Sequence, residues 1–178
     1  MKKILTFLFS TLSLIILFSV LFTSSGCSKN EGEGFAIYLT TDDVSPALLS
    51  FISHVDIEEE PIIGIDDIVR YNAGTHEITL KSDAYKRIVD LEVPGSGRSF
   101  MVCVDKQPVY RGAFWVPFSS MSFDGVTICK PLGSQETNTI KLELGYPSSS
   151  FYAGKDPRNN AQVIESLKHS GKLTGTTE

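Results

Sequence analysis

Histidine, cysteine and tryptophan are all scarce in this chain: three, three and one among 178 residues. His54, His76 and His169 stand in no His-Glu-x-x-His or comparable ligand motif and read as surface and cap residues. The cysteines show neither the paired spacing of a zinc site nor a Cys-x-x-Cys redox pair. A nucleophile-elbow Gly-x-Ser-x-Gly and a phosphate-binding loop are equally missing, so no catalytic residue, cofactor or metal ligand is assigned. Basic residues are outnumbered, 16 against 21 acidic, for a net charge of −5. That balance argues against nucleic acid, which needs a basic face, and against electrostatic docking on anionic lipid.

The N-terminus is different in kind. Lys2 and Lys3 precede a mostly apolar run from Ile4 to Phe22, and Ser24-Ser25-Gly26 then leads into Cys27. A positive start, an apolar stretch and small residues before a cut site make a secretory signal. With the cysteine directly after the small residues, the segment resembles a bacterial lipoprotein signal, which implies a lipid on Cys27; Ser24 stands where such signals usually carry Leu. The other reading is an uncleaved membrane anchor, since the run approaches the roughly 20 residues that span a bilayer. Either way the rest of the chain is expected outside the cytoplasm, facing the extracytoplasmic side of a cell membrane. Residues 28–34, polar and glycine-containing, read as a flexible tether.

Residues 35–171 are the expected globular domain and 172–178 a disordered tail. Strands are predicted at Phe35 to Thr40, Val55 to Ile63, Glu77 to Lys81, Phe100 to Val104, Val109 to Val116, Gly125 to Cys129 and Thr139 to Leu144. Helices are predicted from Ser45-Pro46 through Ile52, from Ser82 through about Leu91, and from Asp156-Pro157 to Gly171, with a short helical turn from Asp66 or Asp67 through Tyr71. Strands outnumber helices and short turns join them. The expected fold is α+β, a largely antiparallel sheet with two or three helices on one face.

One stretch carries a resemblance. Ile78-Thr79-Leu80 leads into a helix at Ser82-Asp83-Ala84-Tyr85; Arg98 to Asp105 follows as an apolar strand and turn, then Val109-Tyr110 and a strand at Gly125-Val126-Thr127-Ile128. This order, over residues 77–130, resembles the periplasmic head region of the SecD subunit of the protein-export machinery, with Lys106 where that turn usually has Gly. The resemblance implies a shared domain fold with protein-handling ancestry, not a translocase; the expected partners are the membrane, through the lipid anchor, and an envelope or export-machinery protein. The multiple membrane helices of a translocase are lacking.

The candidate surface is aromatic. Tyr110, Arg111, Trp115, Phe118 and Phe123 fall within a short span, and Tyr, Trp and Arg are the side chains that dominate interfaces. Phe114 and Trp115 alternate in one strand, so one of them is a candidate for the solvent face; the competing expectation is that most of these rings are core. Cys103 and Cys129 form either a disulfide or two buried thiols. The expected role is a lipid-anchored binding or accessory module. The alternative is an extracytoplasmic hydrolase working through Asp42-Asp43 or Asp66-Asp67, residues that also suit helix caps.

Overall fold

The computed structural model describes residues 33–42, 44–49, 54–133 and 137–175. Five strands, β1 (Phe35–Leu39), β4 (Arg98–Val104), β5 (Gln107–Trp115), β6 (Phe123–Cys129) and β8 (Glu143–Tyr146), make one sheet in the order β1-β4-β5-β6-β8. Four more, β7 (Thr139–Lys141), β3 (Glu77–Leu80), β2 (Ile68–Asn72) and β9 (Leu173–Thr174), make a second in the order β7-β3-β2-β9. All pairs are antiparallel except β5–β6 and β2–β9. With the helices α1 (Ser82–Asp90) and α2 (Ala161–His169) the fold is α+β and rich in strand. Residues 32–178 belong to one compact unit.

Two sheets stand where one was expected, and Leu142 is the reason. The single strand predicted at Thr139 to Leu144 is interrupted there, so that β7 pairs with β3 and β8 with β6. A buried residue between two ladders must find other partners for its backbone. The Leu142 N–H donates to the His76 carbonyl at 3.0 Å, and Arg158 Nη1 donates to the Leu142 carbonyl at 2.8 Å.

Alternation sorts the larger sheet into two faces. Phe35, Ile37, Phe100, Val102, Phe114 and Ile128 join one core with Ile68, Ile78 and Ile140 of the second sheet, Ala84 and Ile88 of α1, and Val163 and Leu167 of α2. Ala36, Tyr38, Met101 and Cys103 point the other way, against Val55 and Ile57, while Ala113 and Trp115 pack with Tyr146 and Phe123.

Several expectations are corrected. Val55 to Ile63 is an irregular segment laid along β1 and the two residues after it, joined by bridges Thr40–Ile57 and Ile37–Ile63, with Glu58 donating its N–H to the Leu39 carbonyl and Thr41 its N–H to the Asp56 carbonyl. The helical turn before Tyr71 stops at Asp67, and Tyr71 lies in β2, its ring fully buried. The last helix starts at Ala161 with Asn160 as N-cap, whose side chain accepts from the Gln162 N–H. The tail does not begin as disorder: Leu173–Thr174 pairs with β2, which its backbone completes at Ala73. The tether ends in fixed contacts, the Gly34 N–H on Asp105 Oδ1 at 2.8 Å and the Tyr38 hydroxyl on Glu33 at 2.5 Å. Of the predicted Ser45 to Ile52 helix, residues 50–52 lie outside the described residues, and 46–49 form a turn. Cys27, the cysteine expected to carry a lipid, also lies outside them.

Candidate functional site

The β4–β5 connection is a two-residue turn, Asp105-Lys106, in which φ is +52° and +61°. Two positive values are the signature of the hairpin turn that matches strand twist. β5 then runs nine residues to Trp115, opposite Cys129 of its parallel neighbour β6. Parallel strands end together, so the loops after β5 and β6 leave from the same end of the sheet. Each carries an exposed apolar tip, Phe118 at 75% and Leu132 at 72% exposure, with Met121 exposed nearby in sequence. A groove of about 380 Å³ lies there, lined by Pro117, Pro131, Leu132, Lys130, Ile140 and Glu143 among others.

The five aromatic and basic candidates are split by the structure. Tyr110, Arg111 and Phe123 line a second groove of about 380 Å³, together with Leu49, Asp124 and Tyr152. Phe118 stands apart in the distal loop. Trp115 is withdrawn from the surface at 2% exposure, its ring stacked on Phe123 at 5.4 Å and tilted against Tyr146 at 5.6 Å. Phe114 is fully buried on the opposite face, so neither of this alternating pair meets solvent. Tyr110 Oη and Trp115 Nε1 are buried with no hydrogen-bond partner among the described residues, and burial raises the Tyr110 phenol well above its ordinary value.

Cys103 and Cys129 are free thiols. They flank β5 from opposite sides, Cys103 against Pro108 and Cys129 against Trp115. The seven residue steps of strand from Pro108 to Trp115 amount to roughly 20 Å, far beyond the ~7 Å reach of a disulfide. Burial pushes both thiols up to about 11.

The acidic pairs are used locally or lie at the surface. Asp67 Oδ2 accepts from the Gly64 N–H at 2.9 Å and from Arg87 at 2.6 Å, while Asp66 is exposed. Asp42 gives its carbonyl to the Thr40 hydroxyl, and Asp43 lies outside the described residues.

The constellation that composition did not single out is around Leu142. His76, 7% exposed and with φ of +57°, places Nδ1 3.1 Å from the Tyr71 hydroxyl. Arg158 closes on Asp156 through two nitrogens at 2.9 and 2.7 Å while holding the Leu142 carbonyl. Burial first, then the Arg158 charge, lowers the His76 pKa; hydrogen bonds from the Arg158 side chain lower that of Asp156. This is a clamp on the sheet switch. The tripeptide Asp156-Pro157-Arg158 was its only sequence signal, and it reads as a helix start.

Among the described residues no group of three or more His, Cys, Asp or Glu side chains gathers as a metal site, and no helix is long and apolar enough to cross a membrane. Compared with protein-family models, with curated proteins and with solved structures, the chain matches none.

Proposed function

We propose that the chain is a lipid-anchored accessory or binding module of the cell envelope, carried on Cys27 and facing away from the cytoplasm. The observation that carries this reading is the opposition between the end of the tether and the exposed loops. Gly34 is fixed to Asp105 at the start of β5, and the exposed Phe118 and Leu132 lie in the segments that leave the far end of that strand and its parallel neighbour. Nine strand residues separate the two ends, about 30 Å. A module built this way presents its apolar tips away from its anchor, toward a protein partner. The helices, whose apolar sides enter the core, serve as the scaffold on one face. The resemblance of residues 77–130 to the SecD head favours a partner in the export machinery. The hydrolase alternative draws no support from Asp67, whose carboxylate is engaged by Gly64 and Arg87.

Cross-linking in intact cells, followed by mass spectrometry of what is captured, tests the proposal. One envelope protein should dominate for the wild type and fall several-fold in Phe118→Ser/Leu132→Ser, two exposed substitutions that leave the fold intact. Cys27→Ala should abolish capture by releasing the module. Undiminished capture by the double variant would remove the distal loops from the function.

A further inference from the structure

The groove beside β5 and β6 has an unusual inventory of polar groups. Among the described residues, no Ser, Thr, Asn, Gln or His lines it. Its two hydroxyls face elsewhere: Tyr110 Oη is enclosed in the core, and Tyr152 Oη donates to the Lys155 carbonyl at 2.7 Å. The side-chain polar groups left are a guanidinium, Arg111, and a carboxylate, Asp124. Among the described residues they form no ion pair with each other or with any other side chain. Arg111 gives Nη1 to the Leu49 carbonyl and retains its other donors. Aromatic and aliphatic surface supplies the rest. Phe123 is held against Trp115 on one side and lies over Gly125, where a Cβ would come within 2.5 Å of its ring.

We infer that this groove binds a zwitterionic amino acid or short peptide with an apolar body. The ligand's carboxylate pairs with Arg111, its ammonium with Asp124, and its side chain packs on Phe123 and Tyr152. A neutral sugar would find no uncharged donors or acceptors on these side chains, and an ion of one sign would pair with one charge while opposing the other. The volume, about 380 Å³, lies within the range of small-molecule sites, roughly 300–1,000 Å³.

Titration calorimetry on the full chain in detergent micelles tests this, with L-phenylalanine and L-leucyl-L-phenylalanine as probes and N-acetyl-L-phenylalanine amide as the uncharged control. At least one free probe should give saturable binding, and the blocked compound should bind at least about tenfold more weakly, the loss expected when charge-assisted hydrogen bonds are removed. Asp124→Asn, at a carboxylate that holds no side chain or backbone N–H among the described residues, should weaken the free probe by about tenfold. Arg111→Gln should do the same, and Arg111→Lys should recover part of the loss. Equal binding of the blocked compound, unchanged affinity in Asp124→Asn, or no saturable heat with either free probe at millimolar concentration would overturn the assignment. Phe118 and Leu132 take no part here, so failure at this groove leaves the cross-linking result standing, and the reverse.

Discussion

Gly112 marks where two elements come closest. A Cβ there would lie 2.4 Å from Phe100 Cζ and 2.6 Å from the Val126 carbonyl oxygen. The ring could shift, but the backbone of β6 is held by its ladder with β5. Gly112→Ala is therefore expected to cost about 1–3 kcal/mol, as overpacked cores do. Gly95→Ala is the control: nothing lies within 4 Å of its Cβ, and the change should be neutral or gain up to about 1 kcal/mol. Urea midpoints at unchanged slope measure both, and equal midpoints for the two variants would refute the close approach. The same kind of contact explains why Trp115, a surface candidate from the sequence, is buried. Alternation tells which residues share a face of β5, but not whether that face is covered. Here both are, and the covering residues come from distant parts of the chain: Tyr146, Phe123, and Gly97, whose absent Cβ leaves room for the indole ring.

At the scale of the element, the hairpin tip is the most exacting piece. Asp105 occupies the left-handed region, which a short polar side chain tolerates better than most, and its carboxylate receives the Gly34 N–H just ahead of β1. Asp105→Ala loses the acceptor and places a Cβ-bearing residue without local hydrogen bonding in that conformation, for an expected loss of about 1–2 kcal/mol. Asp105→Asn keeps both features and should stay within about 0.5 kcal/mol of wild type. Denaturation midpoints decide it, together with protease cutting just before Phe35, which should speed up only in the alanine variant. Local signals of this kind made much of the architecture legible. The Asp-Lys turn between two apolar runs, Ser82 ahead of Ala84, Tyr85 and Ile88, and the alternation at Glu77–Leu80 fixed β3, α1, β4 and β5 to within about two residues at each boundary. What stayed hidden depends on partners remote in sequence. Leu142 looks like strand interior until His76 and Arg158 claim its backbone, and Leu173–Thr174 looks like tail until β2 offers an open edge. The candidate groove was half legible for the same reason: Tyr110, Arg111 and Phe123 are close in sequence, whereas Leu49 and Tyr152 reach it from both sides of the chain.

Across the whole molecule, the His76–Arg158 clamp ties the turn between β2 and β3, the switch from β7 to β8 and the segment leading to α2 into one cooperative joint. Its charge state links that joint to pH. His76 is surrounded by the Tyr71 hydroxyl, the cations Arg158 and Lys141, and Asp156. Burial and the two cations outweigh the carboxylate, so the folded chain prefers the neutral ring and His76 titrates below its ordinary value. The unfolded chain then takes up its proton first on acidification. The stability contributed by the neutral ring is complete above about pH 6.5, the unfolded value, and is lost as pH falls through the lower folded value. Asp156 acts with the same sign in a more acidic window, below its ordinary value of 3.8, because its folded pKa is also lowered. Thermal melting between pH 7.5 and 5 should therefore show a midpoint that declines with acidification before the carboxylates titrate. In His76→Asn the residue still tolerates positive φ but carries no titrating ring, and the decline between pH 6.5 and 5 should flatten while the steeper loss below pH 4 remains. A wild-type midpoint that is level from pH 7.5 to 5, or a variant curve parallel to it, would show that His76 is not the group coupling the joint to pH.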